Sequence, residues 1–373
     1  MKKVTSIVLN NFKNDSRVLK ENISLQRAGY DVTVVAMYEE PLEEFEKVQG
    51  IDVHRVKIKS RSLSKHPMVQ FFKYLELLYR VVKAYKKSDI LHCNDLNALP
   101  IGVVIKKFFN KKVKIVYDAH EYETETNGLG GLKQKVVRLI EKRLIKHTDA
   151  VITVSNLIAE EYVRLYGIKK PALVLNTPVY KTVEKKNLFR EEFGIKKEQK
   201  IFLYQGALNS GRGLETLLEA FKELKSNSVI IFMGYGVLAP LIAQSAKESE
   251  NIYFHEAVSP EVVLDYTSSA DFGISTIEDS CLSYRYCLPN KMFEYMMVGI
   301  PLLVSPLPEM KKVVEEYNVG VVLEENSVDG VKKSVEEAMT LDVKTLENNL
   351  EVAKAIYNWQ EQEKVLLKVY NEL

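Results

Sequence analysis

Residues 200–224, Lys-Ile-Phe-Leu-Tyr-Gln-Gly-Ala-Leu-Asn-Ser-Gly-Arg-Gly-Leu-Glu-Thr-Leu-Leu-Glu-Ala-Phe-Lys-Glu-Leu, read as a strand, a glycine-rich turn and a helix. Ile201 to Tyr204 form the apolar run, and Leu214, Leu217, Leu218, Phe221 and Leu224 recur at helical spacing. Between them Gly206, Gly211 and Gly213 let the backbone approach an anion at the helix N-terminus, and Arg212 offers a planar fork that matches phosphate oxygens. Val229-Ile-Ile-Phe-Met-Gly-Tyr-Gly236 repeats the layout and adds Gly234, Tyr235 and Gly236 as candidate ligand contacts. Neither cluster extends to Gly-x-Gly-x-x-Gly with an acidic residue about twenty positions on, which disfavours a nicotinamide cofactor.

The same reading carries along the whole chain. Val4–Leu9, Val32–Ala36, Ile90–His92, Val113–Tyr117 and Ala150–Val154 are short apolar runs, each followed by polar residues and a helical stretch. The pattern restarts at Lys200–Tyr204, Val229–Met233, Ile252–Phe254, Phe272–Ser275 and Pro301–Val304. Such alternation predicts parallel sheets covered on both faces, hence two Rossmann-like doubly wound α/β domains with a ligand cleft between them. Asn176-Thr177-Pro178 and the polar stretch 180–186 suit a linker, so the expected domains are 1–178 and 179–355.

Residues 284–305 place Pro289, Asn290, Lys291 and Glu294 at a loop running into a short helix, which Gly299 and Pro301 end. Pro289 suits the helix start, the free N–H groups there favour an anion, and Lys291 adds a mobile positive charge. Glu294 lies one turn on, where a carboxylate can take paired sugar hydroxyls. The alternative is an ordinary exposed helix start.

At 373 residues, with 27% charged and 46% hydrophobic residues, the chain has the composition of a globular enzyme of two domains. No run approaches a membrane span, and Met1 to Asn10 reads as a first strand rather than a signal peptide. Cys93, Cys281 and Cys287 lack metal or redox spacing, which points to reduced thiols and a cytoplasmic protein. Charge is divided: residues 1–178 carry 31 Lys and Arg against 20 Asp and Glu, and residues 179–373 carry 21 against 30. Residues 57–87 hold nine Lys and Arg against one Glu, interleaved with Phe71, Phe72, Tyr74, Tyr79 and Tyr85. That segment suits a helix packed on a wide apolar face or one lying on an anionic bilayer at the inner face of the membrane. No recognised nucleic-acid motif accompanies the charge, so nucleic acid is not an expected partner.

Taken together, Asn14-Asp-Ser-Arg-Val18, Asp118-Ala-His-Glu121, Val151-Ile-Thr-Val-Ser155, Val174-Leu-Asn-Thr-Pro178, Tyr204–Glu215, Leu288–Tyr295 and the stretch Asn358–Tyr370 resemble a glycosyltransferase of the GT-B fold, similar to the family 4 retaining enzymes. The resemblance implies a terminal helix, residues 356–373, that returns to the N-terminal domain. It implies that Glu294 holds the nucleotide ribose and that Arg212 meets the donor diphosphate. Two positions depart from the family pattern: Tyr286 stands where the first glutamate of its Glu-x7-Glu motif falls, and Ala207 where a basic residue follows the strand glycine. Glu278 or the backbone near Pro289 then takes over recognition of the donor sugar, and Lys291 the missing charge.

The implied reaction moves a glycosyl group from a nucleotide-diphosphate sugar, a UDP-sugar by preference, to a glycan or lipid-linked acceptor with retention of configuration. Arg212, Lys291 and helix-terminal amides would stabilise the leaving diphosphate, and with no Asp-x-Asp triplet neither a metal nor another cofactor is expected. His120 resembles a family histidine near the donor sugar, or is a loop residue. Glu121, Glu123 or Glu125 would orient or deprotonate the acceptor, Asp95 is a similar candidate, and Asp15 and Arg17 line the acceptor side or cap the first helix. A nucleotide-sugar 2-epimerase and a non-catalytic nucleotide-sugar-binding protein are the alternatives on the same architecture.

Overall fold

Short Val- and Ile-rich runs alternating with amphipathic stretches build two sheets, and the computed structural model describes residues 1–224 and 227–373. The first compact unit comprises Met1–Val174 and Glu363–Leu373, the second Leu175–Gln362.

In the first unit the strands are β1 (Lys3–Ile7), β2 (Asp31–Met37), β3 (Phe45–Val48), β4 (Ile51–Val56), β5 (Ile90–Asn94), β6 (Lys114–Ala119), β7 (Ala150–Thr153) and β8 (Ala172–Leu173), in the order β3-β4-β2-β1-β5-β6-β7-β8. All pair in parallel except the β3–β4 hairpin at the edge. Val4 of β1 pairs with both Val32 and Ile90, so β1 is central and needs cover on both faces.

That cover comes from α1 (Ser16–Arg27), α2 (Pro67–Tyr85), α3 (Asp95–Phe108), α4 (Gly131–Leu144) and α5 (Asn156–Tyr166). Right-handed crossovers in this strand order carry α1 over one face and α2 to α5 over the other. Alternation along β5 agrees: Cys93 faces Gly102 of α3, whereas His92 faces Glu21 of α1 and the Tyr370 hydroxyl, 2.7 Å away. Tyr370 belongs to the terminal helix Trp359–Asn371, and its ring also meets Tyr30 edge-on.

The second unit holds β9 (Lys200–Ala207), β10 (Ser228–Tyr235), β11 (Ile252–Glu256), β12 (Phe272–Ser275), β13 (Leu302–Val304) and β14 (Gly320–Val322), all parallel in the order β11-β10-β9-β12-β13-β14. One face of this sheet packs the helix Leu214–Glu223 through Leu214, Leu217 and Phe221. The other packs the helix Asn290–Met297 through Met292, Phe293 and Met296.

The hairpin β3–β4 and the short strands β8 and β14 lie outside the strand runs read from the sequence. Residues 67–85 do form a helix, but only Leu77, Val81 and Val82 are buried. Met68, Phe71, Phe72, Leu75 and Tyr79 are exposed, so the packed-helix reading of this segment is corrected. No helix among the described residues is long and apolar enough to cross a membrane.

The Tyr295 ring lies flat against Gly273 of β12, where an added Cβ would fall 2.2 Å from it. Gly273→Ala should therefore destabilise the fold by about 1–3 kcal/mol through overpacking, read as a lower denaturant midpoint; unchanged stability would refute this tight contact.

Candidate functional site

The carboxyl end of β9 gathers the candidate donor contacts. Gly206 ends the apolar run with φ +114°, and an added Cβ there would lie 3.8 Å from Lys291 Nζ. Gly213 starts the following helix in the left-handed region, φ +71°, with Thr276 O only 2.1 Å from where a Cβ would stand. Glycine is thus required for the turn and for the loop after β12 to press on it. Thr276 Oγ1 donates to Arg212 O at 3.1 Å and the Glu278 N–H to Gly211 O at 3.1 Å, which sets Glu278 beside the glycine turn. Gly234 and Gly236 pack on this turn, since a Cβ at either would meet Gly206 O or Leu208 O within 2.3 Å, while Tyr235 is exposed.

Helix Asn290–Met297 carries the opposite wall. Pro289 sits just before it as N-cap, Asn290 is exposed, and most of the helix is buried, so the ordinary exposed helix start does not describe it. Lys291 is only 9% exposed, with its ammonium 3.5 Å from the centre of the Tyr204 ring. That corrects its expected mobility. Burial, then repulsion from Arg212, pulls its pKa well down, with Glu294 opposing. Arg212 lies over the Tyr284 ring at 4.6 Å. Tyr286 closes the single-turn helix Leu282–Arg285, donating its N–H to Leu282 O at 3.0 Å, and its side chain is half-buried.

Sequence reading missed Gln205. This residue is 2% exposed, and its Nε2 donates to Glu294 Oε2 at 2.5 Å, while its Oε1 lies 2.8 Å from the Thr267 hydroxyl. Its backbone N–H donates to the Tyr295 hydroxyl, which in turn reaches Leu203 O at 2.9 Å. One polar residue inside an apolar strand run was the available signal.

The first unit brings a different set together. Arg17 is 3% exposed and forks onto Asp118 at 2.8 and 2.9 Å, with Glu21 at 3.1 Å and Val174 O at 2.7 Å. It is therefore held in the interior rather than presented to an acceptor. Asp15 caps α1 through the Val18 N–H at 3.1 Å. His120 stands after β6 with Nε2 3.2 Å from Asp118 and Nδ1 3.4 Å from Asp95, whose backbone is strained at φ +62°. Glu121 is exposed, Glu125 is tied to Arg138 and Gln134, and Glu123 is carried well up by burial and by Asp95.

Burial opposes charge on His120, but Asp118 and Asp95 outweigh it and hold the imidazole at about 9. Burial, then Asp118, carries Glu21 up to about 8 against the pull of Arg17. Asp118 goes well down because Arg17 and His120 overcome its burial. Glu21, Asp118 and His120 could together offer a cation three ligand atoms within 4.8 Å. Arg17 already lies on both carboxylates, so the set fits a guanidinium better than an added ion.

Against known proteins, residues 23–179 match the family model described as Glycosyltransferase Family 4 and residues 185–359 that of Glycosyl transferases group 1. The chain is similar to an uncharacterized glycosyltransferase of Methanocaldococcus jannaschii, at 21% identity over 85% of this chain and 82% of the relative. It is also similar to the chitobiosyldiphosphodolichol beta-mannosyltransferase of Debaryomyces hansenii, at 22% identity over 90% and 79%. Among solved structures, Anabaena HepE in complex with UDP and glucose superposes over the whole of both chains with a TM-score of 0.75 at 14% identity.

Raised pKa values on Glu21 and His120 mean that their stabilisation is complete below 4.5 and 6.5 and is lost as pH rises through about 8 and 9. Asp118 has the opposite sign and costs stability only in acid. Thermal stability of the chain should accordingly fall from pH 5 to pH 9 (roughly the span of those values), and Glu21→Gln should flatten the part below about pH 8. An equal slope in both proteins would contradict the assignment to Glu21. Gln205→Met should remove one contact that orients Glu294 and weaken nucleoside diphosphate binding by about tenfold or more, measured by calorimetry; parent-like affinity would remove Gln205 from the site.

Proposed function

Since the chain belongs to the glycosyltransferases of the GT-B fold similar to family 4, we propose that it transfers a sugar with retention of configuration from a UDP-sugar to a lipid-linked glycan acceptor in cell-surface polysaccharide or glycoconjugate synthesis. With a transferase family on both units, the epimerase and non-catalytic alternatives fall away. The observation that carries the donor reading is the set at the end of β9: Glu294 held by Gln205 at 2.5 Å, one turn along from Lys291, with Arg212 on the adjoining glycine turn.

In this reading Glu294 accepts the ribose hydroxyls and Arg212 meets the diphosphate. Burial, then Arg212, pulls the Lys291 pKa down, and an arriving diphosphate opposes that pull and favours the charged ammonium. Its charge then stabilises the leaving group together with the amides at the start of the helix Asn290–Met297. These groups supply the counter-charge with no metal or other cofactor in the proposal. Tyr286 and Glu278 flank the donor sugar, His120 acts near it as a catalytic group, and Asp95 with Glu121 serves the acceptor side. The UDP and glucose bound to HepE support the donor class. The relative named for chitobiosyldiphosphodolichol supports a lipid-linked acceptor. The exposed aromatic face of α2, within the basic segment 57–87, supports a cytoplasmic enzyme working at an anionic membrane surface.

A thermal-shift panel of UDP, GDP, ADP, dTDP and CMP tests the donor. At about 100 times the dissociation constant a ligand adds roughly 2.7 kcal/mol. UDP should raise the midpoint in the parent but not in Glu294→Ala or Arg212→Ala, and Lys291→Ala should reduce the rise. No response to any nucleotide would sink the donor site, and an inverted product by NMR would sink retention.

A further inference from the structure

Helix α4 exposes a stripe that nothing above uses. Leu132, Val136, Leu139 and Ile140 recur on one side, with Leu132 77% exposed. Lys133, Lys135, Lys142 and Arg143 are exposed around them. The one acidic residue of α4, Glu141, is fully buried, where it accepts from Tyr117, Tyr162 and Tyr166. Helix α2 is built alike. Its apolar residues stand out at i, i+3, i+4, i+7 and i+11 from Met68, and its one acid, Glu76, is bound by Ser60, the Lys59 N–H and Arg80.

Their places in the fold bring the two stripes to one end. Each helix returns the chain between parallel strands, so each runs against the strand direction with its first half at the carboxyl edge of the sheet. Both lie on the same sheet face by the handedness of the crossovers, and α3 packs against both. Met68, Phe71, Phe72 and Leu75 of α2 and Leu132 and Val136 of α4 fall in those first halves, and Tyr79, Leu139 and Ile140 follow just beyond. The same edge carries Asp95, first residue of α3, and His120, just after β6.

We infer that α2 and α4 form a single interfacial surface that seats the first unit on an anionic bilayer, with the carboxyl edge of its sheet turned toward the lipid headgroups. The bilayer is the occupant that the charges favour: apolar side chains reach the acyl boundary while the surrounding lysines meet anionic headgroups. A second copy of the chain would set one basic face against another with no free carboxylate on either helix to answer it. The role given to this surface, presenting a lipid-linked acceptor to the edge that holds Asp95 and His120, rests on the function proposed above.

Co-sedimentation of the full chain with phosphatidylcholine vesicles, with and without phosphatidylglycerol, tests the surface at low salt. The parent should bind only the anionic vesicles. Lys133→Ala with Lys135→Ala should lower its partition coefficient by about thirtyfold, and Leu132→Ser with Val136→Ser should also weaken it. All four positions are exposed, so unfolding midpoints and UDP affinity should match the parent. Failure to bind anionic vesicles, parent-like binding by both double variants, or a parent dimer that the same substitutions dissociate would each overturn the proposal. Vesicle binding without any sugar transfer would count against the proposed function and leave the surface standing.

Discussion

The contact between Tyr295 and Gly273 is the constraint from which the second unit's site follows. Without a side chain at Gly273, the tyrosine ring can lie on β12 and send its hydroxyl to Leu203 O and to the Gln205 N–H of β9. The helix Asn290–Met297 is thereby pinned at one height above the two strands. Lys291 and Glu294, which flank Tyr295 on that helix, inherit their positions from it. A slip of one residue would carry Glu294 away from Gln205 and Lys291 away from Tyr204. The candidate donor-binding groups are therefore placed by buried packing rather than by the loops around them.

The two units handle buried charge in different ways. In the first, Arg17 and His120 surround Asp118 and meet Glu21 and Asp95, so most of the charge is answered within the protein. In the second, Lys291 and Arg212 repel each other, and Glu294 and Cys287 only partly offset the lowering of the Lys291 pKa. An anion entering there relieves a repulsion that already exists, which fits a binding site. The same anion would find little unanswered charge around Asp118.

Much of the strand order's logic was legible because parallel strands buried on both faces leave Val- and Ile-rich runs, as at β2 and β10. The β3–β4 hairpin was not read because its strands lie at an edge, with Glu46, Lys47, Asp52 and Arg55 breaking the apolar pattern. Its signal was the pair Gln49-Gly50, both at positive φ in a two-residue turn. Strands of two or three residues, β8 and β14, are too short to show a period. Arg212, Lys291 and Glu294 could be picked out since each stands on a recognisable turn or helix. Gln205 and the burial of Arg17 against Asp118 were not read, because those contacts join residues dozens of positions apart. The fate of α2 was also beyond periodicity, since an apolar face looks the same in sequence whether a sheet or a solvent boundary covers it.

Tyr370, fully buried between His92 and Tyr30, ties the last helix into a sheet whose own strands end near residue 173. The first unit emerges from the ribosome early but lacks one of its core pieces until the second unit has been made. At about 5–20 residues per second, close to 200 residues of further synthesis amount to roughly 10–40 s. Through that interval the α1 side of the sheet, with Glu21 and His92 in it, waits uncovered for its final helix. Native assembly of the first unit thus waits on synthesis of the second, and the nascent chain depends on whatever shields that face in the meantime.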